Sequence, residues 1–360
     1  MANATVSSSS SSDAALISTL NYLSFQLNQY LSIFILIFGT VGNLLNIFIF
    51  LQPSLRTNPC SIYLLSSSFG AVGAYSAGLL TKLLSIYNWD LTAYSNPLCK
   101  IKTYILFISF TLSTWFIALA SGDRYLISCS NMARRRLSNL KNTYRCIQIT
   151  IIVTLLLFVE LFYCYEGQQF TGSPQPCYSK TQTCRLYNDL VFVTLFVILP
   201  SIIMFFFGYL TILNIQRLRR SIAPTSTTTS TASSQAKGLK RSDRQLIRML
   251  VVQILLQTIF ILPFAVQRLY NTSTTNVTNK TLVRVAVENL LFQLVQILRY
   301  VSYGVSFYCY TLTGTVFRYE LLKLLYRLKI IKQLPVPSQT TNTLVTKNYR
   351  STVLHLTDGK

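Results

Sequence analysis

The chain has 360 residues, of which only 12% are charged and 51% are hydrophobic, with a mean hydropathy of +0.42. That balance excludes a disordered chain and argues against an ordinary soluble enzyme. Lys and Arg number 32 against 10 Asp and Glu, but they punctuate long apolar runs instead of covering a polar globule, so nucleic-acid binding is not expected. The single histidine, His355, leaves no material for histidine metal clusters, Ser-His-Asp triads or Cys-His dyads, and no metal or cofactor site is expected.

In chain order, residues 1–28 include Ser7 to Ser12 in a row and lack a basic stretch before an apolar core. They do not resemble a cleavable signal peptide and are expected to form a disordered tail. Seven apolar runs follow, each near the roughly 20 residues needed to cross a hydrocarbon core of about 30 Å. The expected spans are about 29–51, 60–84, 99–128, 145–165, 188–216, 245–269 and 286–312, in a bundle over 29–316. Glu160 lies inside the fourth and Arg299 inside the seventh; a lone internal ion is tolerated where it faces protein or water. The Ser/Thr-rich connection over about 218–240 cannot bury a core and reads as a mobile linker, with hydroxyls open to phosphorylation. After the seventh span, Phe317, Leu321, Leu324, Leu325, Leu328 and Ile331 recur at helical spacing among basic residues. This predicts an amphipathic helix over 317–332 lying on membrane lipids, then a cytoplasmic tail over 333–360.

Orientation follows from the basic residues. With the N-terminus outside, 23 of the 32 Lys and Arg fall on the cytoplasmic side. The glycosylation triplets beginning at Asn3, Asn271, Asn276 and Asn279 all fall on the opposite side, three of them in the sixth connection. A multi-pass protein with its N-terminus outside and its C-terminus in the cytoplasm is expected, in the plasma membrane.

The third span carries the most specific motif. It ends in Asp123-Arg124-Tyr125, and Cys99 lies 25 residues before Arg124, a membrane thickness at 1.5 Å per residue. This resembles rhodopsin-like (class A) G-protein-coupled receptors. The resemblance extends from about residue 30 to 331: Gly42-Asn43 is similar to the first-helix signature, Pro200 and Pro263 to the prolines of the fifth and sixth helices, and Tyr310 with Phe317-Arg318 to the seventh helix leading into helix eight. It implies an all-α seven-helix membrane bundle that senses an extracellular ligand, activates heterotrimeric G proteins and performs no catalysis. The implied switch residues are Asp123, Arg124, Tyr125, Asp243, Tyr209 and Tyr310. An arginine at the mouth of a bundle needs a nearby acid, so Arg124 is expected to pair with Asp123 and Asp243 until the sixth helix swings outward.

Departures from the family pattern resemble an atypical invertebrate branch. Ala71 stands where an aspartate is usual, Ser306-Phe307-Tyr308-Cys309-Tyr310 replaces Asn-Pro-x-x-Tyr, no tryptophan precedes Pro263 by two residues, and Tyr209 comes one residue late. Cys60, Cys129, Cys146 and Cys309 are expected to be reduced. Cys99, Cys164, Cys177 and Cys184 lie outside, where three complete pairings are open. Cys99 with Cys177 is favoured for its slack before the fifth helix, and Cys184 is the rival.

Leu106 occupies the position where amine receptors carry an aspartate, and Tyr300 that of the retinal lysine of opsins. Both ligand classes are therefore excluded. The upper half is net basic, and Lys82, Leu106, Arg268, Arg299 and Tyr300 are the pocket candidates; Arg299 is expected to hold an anion on the ligand, or else Glu160 or Glu288. A small peptide with an acidic residue or free C-terminus is the leading ligand class, beneath a two-stranded outer loop drawn from 175–187. Basic residues of the second and third inner loops are expected to meet the G protein. Ser338, Thr340, Thr341 and Thr343 are candidate receptor-kinase targets for arrestin recruitment. One alternative is a receptor-like ligand sink that does not signal. A channel or transporter is the weaker one, because only Glu160 and Arg299 could charge a path and no internal repeat is present.

Overall fold

The computed structural model describes residues 11–331 except 88, 168–176, 221–231, 275–276 and 278–279; the side chains of 11, 93, 218–220 and 232–248 are also outside the described set. Long helices dominate. Among the described residues six of them, α1 (Ser11–Phe50), α2 (Pro59–Ile86), α3 (Asn96–Ser128), α4 (Leu140–Leu157 and its continuation to Cys164), α5 (Gln182–Arg217) and α6 (Ala232–Ser273), are long and apolar enough to cross a bilayer. The seventh, α7 (Leu282–Thr313), is as long but is made less apolar by Arg284, Glu288, Arg299 and a row of tyrosines. A shorter α8 (Thr315–Arg327) turns away after Gly314.

α3 is the central element. It packs against α2, α4 and α5, while α7 lies between α1 and α6. One buried cluster, containing Cys99, Phe107, Phe110, Phe158, Phe192, Phe196, Phe264, Tyr300 and Tyr303, fills the end that carries Cys99. A second, around Phe50, Tyr63, Phe116, Met249, Phe307, Tyr310 and Phe317, fills the end that carries Arg124. Large apolar residues such as Phe34, Phe48, Ile149, Ile152, Ile202, Phe206 and Ile259 stay exposed on the perimeter, the inverse of a soluble protein and the pattern expected of helices bathed in lipid.

Several boundaries differ from the sequence expectation. α1 begins at Ser11, so residues 11–28 continue the helix instead of forming a disordered tail; Ala14, Ala15, Leu16, Leu20 and Leu23 are good helix formers, and Asp13 sits in the first turn where it complements the helix dipole. α5 starts at Gln182, where Thr181 accepts from the Cys184 N–H, and α6 already runs from Ala232 within the expected linker. α4 breaks at Phe158, and Glu160 lies in the turn leading to the short helix Leu161–Cys164. The hairpin at the Cys99 end pairs β1 (Tyr165–Gly167) antiparallel with β2 (Cys177–Ser179), so its first strand lies upstream of the expected 175–187 stretch.

Two π turns, Tyr75–Leu80 in α2 and Val193–Ile198 in α5, insert an extra residue into the helical ladder. The first one positions Tyr75, whose ring is fully buried and whose hydroxyl donates to the Tyr300 carbonyl at 2.7 Å. That ring fits only because glycines face it: a Cβ at Gly39 would lie 2.3 Å from Tyr75 Cζ, and one at Gly304 2.7 Å from Tyr75 Oη. α1, α2 and α7 are thereby held at close approach.

Candidate functional site

At the Arg124 end, α3 terminates just beyond a buried ion pair. Arg124 Nη2 donates to Asp123 Oδ2 at 2.9 Å and to Asn58 Oδ1 at 2.9 Å, with both charged side chains at least 95% buried. Asn58 also caps α2 by accepting from the Cys60 N–H, so one side chain ends a helix and holds the arginine. The other carboxylate oxygen of Asp123 accepts from the Ser138 hydroxyl, just past the short helix Met132–Leu137. Tyr125 packs its ring on Phe207 at 5.4 Å and accepts from Arg134 at 3.1 Å. Asp243 lies on α6, but its side chain is outside the described residues. Tyr310 is buried against Phe50 and Phe317 and donates to Gln253 of α6.

Tyr209 is 62% exposed on α5 and joins none of these contacts; its one-residue delay corresponds to a rotation of about 100° around the helix.

Between the two ends, Gln257 donates to Thr114 at 3.3 Å, and Thr114 shares a hydrogen bond with Tyr303 at 3.2 Å. α6, α3 and α7 are thus linked by neutral groups. Sequence reasoning missed Gln253, Gln257, Thr114 and Asn58; polar residues within otherwise apolar spans were the available signal for the first three, and an Asn-Pro helix start for Asn58. Ala71 is buried where the family carboxylate would lie, beside a Ser67–Ser113 hydrogen bond of 3.1 Å.

At the other end, Cys99 is bonded to Cys177 and Cys164 to Cys184, so Cys184 has its own partner and the hairpin is tied to both α3 and α5. In this loop, burial raises the Tyr178 phenol above its usual range, opposed by the Arg185 guanidinium over its ring. Beneath the hairpin, Arg268 pairs through Nε with Asp189, which is 2% exposed and also accepts from Thr272. Lys82 donates to Gln293 at 2.7 Å, joining α2 to α7. Arg299, 6% exposed, lies 4.2 Å from the Phe110 ring centroid, 4.3 Å from that of Phe264 and 5.0 Å from that of Tyr300.

Among the described residues no carboxylate pairs with Arg299, and its Nε lacks a hydrogen-bond partner. The expected internal partners are otherwise placed: Glu288 binds Lys280 and Arg284 at 2.7 and 2.9 Å, and Glu160 lies at the α4 break with one oxygen unpaired. Leu106 and Tyr300 both line the space facing Gly78, 2.7 and 2.2 Å from where its Cβ would stand. Asn271 is half-buried on the last turn of α6, whereas Asn3, Asn276 and Asn279 lie outside the described residues.

Seven long helices in this order, with a disulfide at one end of the third and a buried Asp-Arg pair at the other, agree with the comparison of sequences. Residues 42–306 match the model of the 7 transmembrane receptor (rhodopsin family). The chain belongs to that family. It is a multi-pass membrane receptor and not an enzyme. Among its relatives is nematocin receptor 2 of Caenorhabditis elegans, 23% identical over 180 residues, which are 49% of this chain and 45% of that receptor. The matched region thus spans about half the length of the curated relative.

Proposed function

We propose that this receptor lies in the plasma membrane with the disulfide end outside, binds an extracellular peptide there, and activates heterotrimeric G proteins at the Arg124 end. The observation that carries the reading is the pairing of a buried Asp123–Arg124 ion pair at one end with a caged cation that no carboxylate among the described residues pairs with at the other. Arg299 in a low-dielectric aromatic cage would attract a carboxylate strongly, since charge-assisted hydrogen bonds gain most where water is excluded. A ligand carboxylate at Arg299 would pull on Phe264 of α6 and Tyr300 of α7. The Gln257–Thr114–Tyr303 and Tyr310–Gln253 contacts connect that movement to the closed inner face, and release of Arg124 from Asp123 and Asn58 would open it. The hairpin, tied down by two disulfides, supports a peptide-sized ligand, and similarity to a receptor named for nematocin supports a ligand-sensing role.

The test is a peptide library applied to cells displaying the chain on their surface, reading calcium and cAMP. Responses to acidic or free C-terminal peptides are expected. Silence across the library from a surface-exposed protein would favour the ligand-sink reading.

A further inference from the structure

The second loop contains a feature that ligand sensing does not use. Arg134, Arg135 and Arg136 are exposed on the short helix Met132–Leu137, Leu137 follows, and Ser138 comes next, half-buried at the C-cap. Two arginines at the third and second positions before a serine form a substrate for Arg-directed serine kinases, whose acidic clefts recognise that spacing through paired guanidinium contacts. The same serine donates its hydroxyl proton to the Asp123 oxygen not occupied by Arg124. One residue therefore lies at the end of an exposed basic recognition sequence and in the outer layer of the Arg124 lock.

The geometry points to Ser138 as a phosphorylation site gated by that lock. In the closed state its Oγ is turned inward to Asp123 and withheld from a kinase cleft. When the lock opens, the six-residue helix, too short to be stable alone, can extend and present Arg135, Arg136 and Ser138 together. In the transfer, Ser138 Oγ bonds to the γ-phosphorus of ATP, the bond to the β-phosphate oxygen breaks, ADP leaves and the hydroxyl proton passes to the base of the kinase. The product cannot return to its former place. A phosphoserine ester has no proton to donate to Asp123, and a charge approaching −2 would stand beside a carboxylate. Phosphate at Ser138 thus keeps the second loop undocked from α3. In a cell the site also rests on the proposed orientation, because ATP is cytoplasmic.

Purified full-length receptor is incubated in detergent with ATP and the catalytic subunit of an Arg-directed serine kinase, and phosphate is located by mass spectrometry over time. Neither ligand nor G protein is needed, so a failure here is distinct from a failure of the signalling reading. Phosphate at Ser138 is expected, absent in Ser138→Ala and slowed more than tenfold in the Arg135→Ala, Arg136→Ala double variant, whose altered residues are exposed and leave the fold intact. Asp123→Ala is expected to label roughly tenfold faster, as loss of a hydrogen bond to a charged group implies. Asp123→Asn keeps an acceptor and is expected to fall between it and the parent. Labelling of Ser221 and Ser242, which also follow basic pairs, without any at Ser138 would overturn the site. Labelling of Ser138 at the same rate in the parent and both Asp123 variants would overturn the gating.

Discussion

Arg299→Met separates a ligand-binding arginine from a structural one. The side chain is buried between Phe110, Phe264 and Tyr300, with the guanidinium carbon 4.2 to 5.0 Å from the ring centroids. Three cation–π contacts contribute about 0.5–2 kcal/mol each. Opposing them, removing the ion from water costs several kcal/mol, and no carboxylate among the described residues offsets it. Methionine fills a similar volume without that penalty and makes favourable contacts with aromatic rings. The two sides nearly cancel, so thermal unfolding of the solubilised variant should shift by no more than about 4 °C in either direction. Ligand response should behave differently. A bidentate carboxylate contact comprises two charge-assisted hydrogen bonds of about 1.5–3 kcal/mol each, so its loss should weaken the response to an acidic peptide by about 100-fold or more. The assay pairs a melting curve with a calcium dose–response at matched surface expression. A large fall in melting temperature with an unchanged dose–response would refute the reasoning and make Arg299 a structural cation.

Four further substitutions, at Gly304, Gly208 and Asn58, examine how the helices and the Arg124 end are held. Gly304→Ala places a Cβ 2.7 Å from the Tyr75 hydroxyl and should cost about 1–3 kcal/mol of stability, whereas Gly208→Ala, where nothing lies within 4 Å, should be neutral or stabilising in the same melting assay. Asn58→Ala removes a helix cap and one of the contacts on Arg124, so basal signalling should rise about fivefold for each 1 kcal/mol removed from the closed state, while Asn58→Asp should lower it. A loss of stability in Asn58→Ala with no change in basal signalling would leave Asn58 as a cap alone.

The parts of the fold governed by local spacing were legible in the sequence. The interval from Cys99 to Arg124 requires one membrane-crossing helix, and Asn96–Ser128 is that helix. The apolar period after Tyr310 located α8, although the helix itself is Thr315–Arg327, shorter than the expected 317–332. Contacts between distant segments were not legible. Nothing near Arg299 in the chain reveals that Phe110 and Phe264 would surround it, and nothing near Arg268 points to Asp189, 79 residues earlier. The π turns also escaped notice, since an added residue in a helical ladder leaves composition and hydropathy unchanged. Tyr209 shows the converse: a one-residue delay visible in the sequence was enough to turn the ring outward. The extension of α1 to Ser11 was hidden by the serine run, whose composition outweighed the helix formers that follow it.

The central claim is that Arg124 must leave its closed contacts for the receptor to signal. Its most direct test is ligand-stimulated nucleotide exchange on a purified heterotrimeric G protein, comparing the parent with Arg124→Ala at equal ligand occupancy. The expected result is that the variant binds ligand as the parent does yet fails to stimulate exchange. Equal stimulation by both proteins would contradict the account.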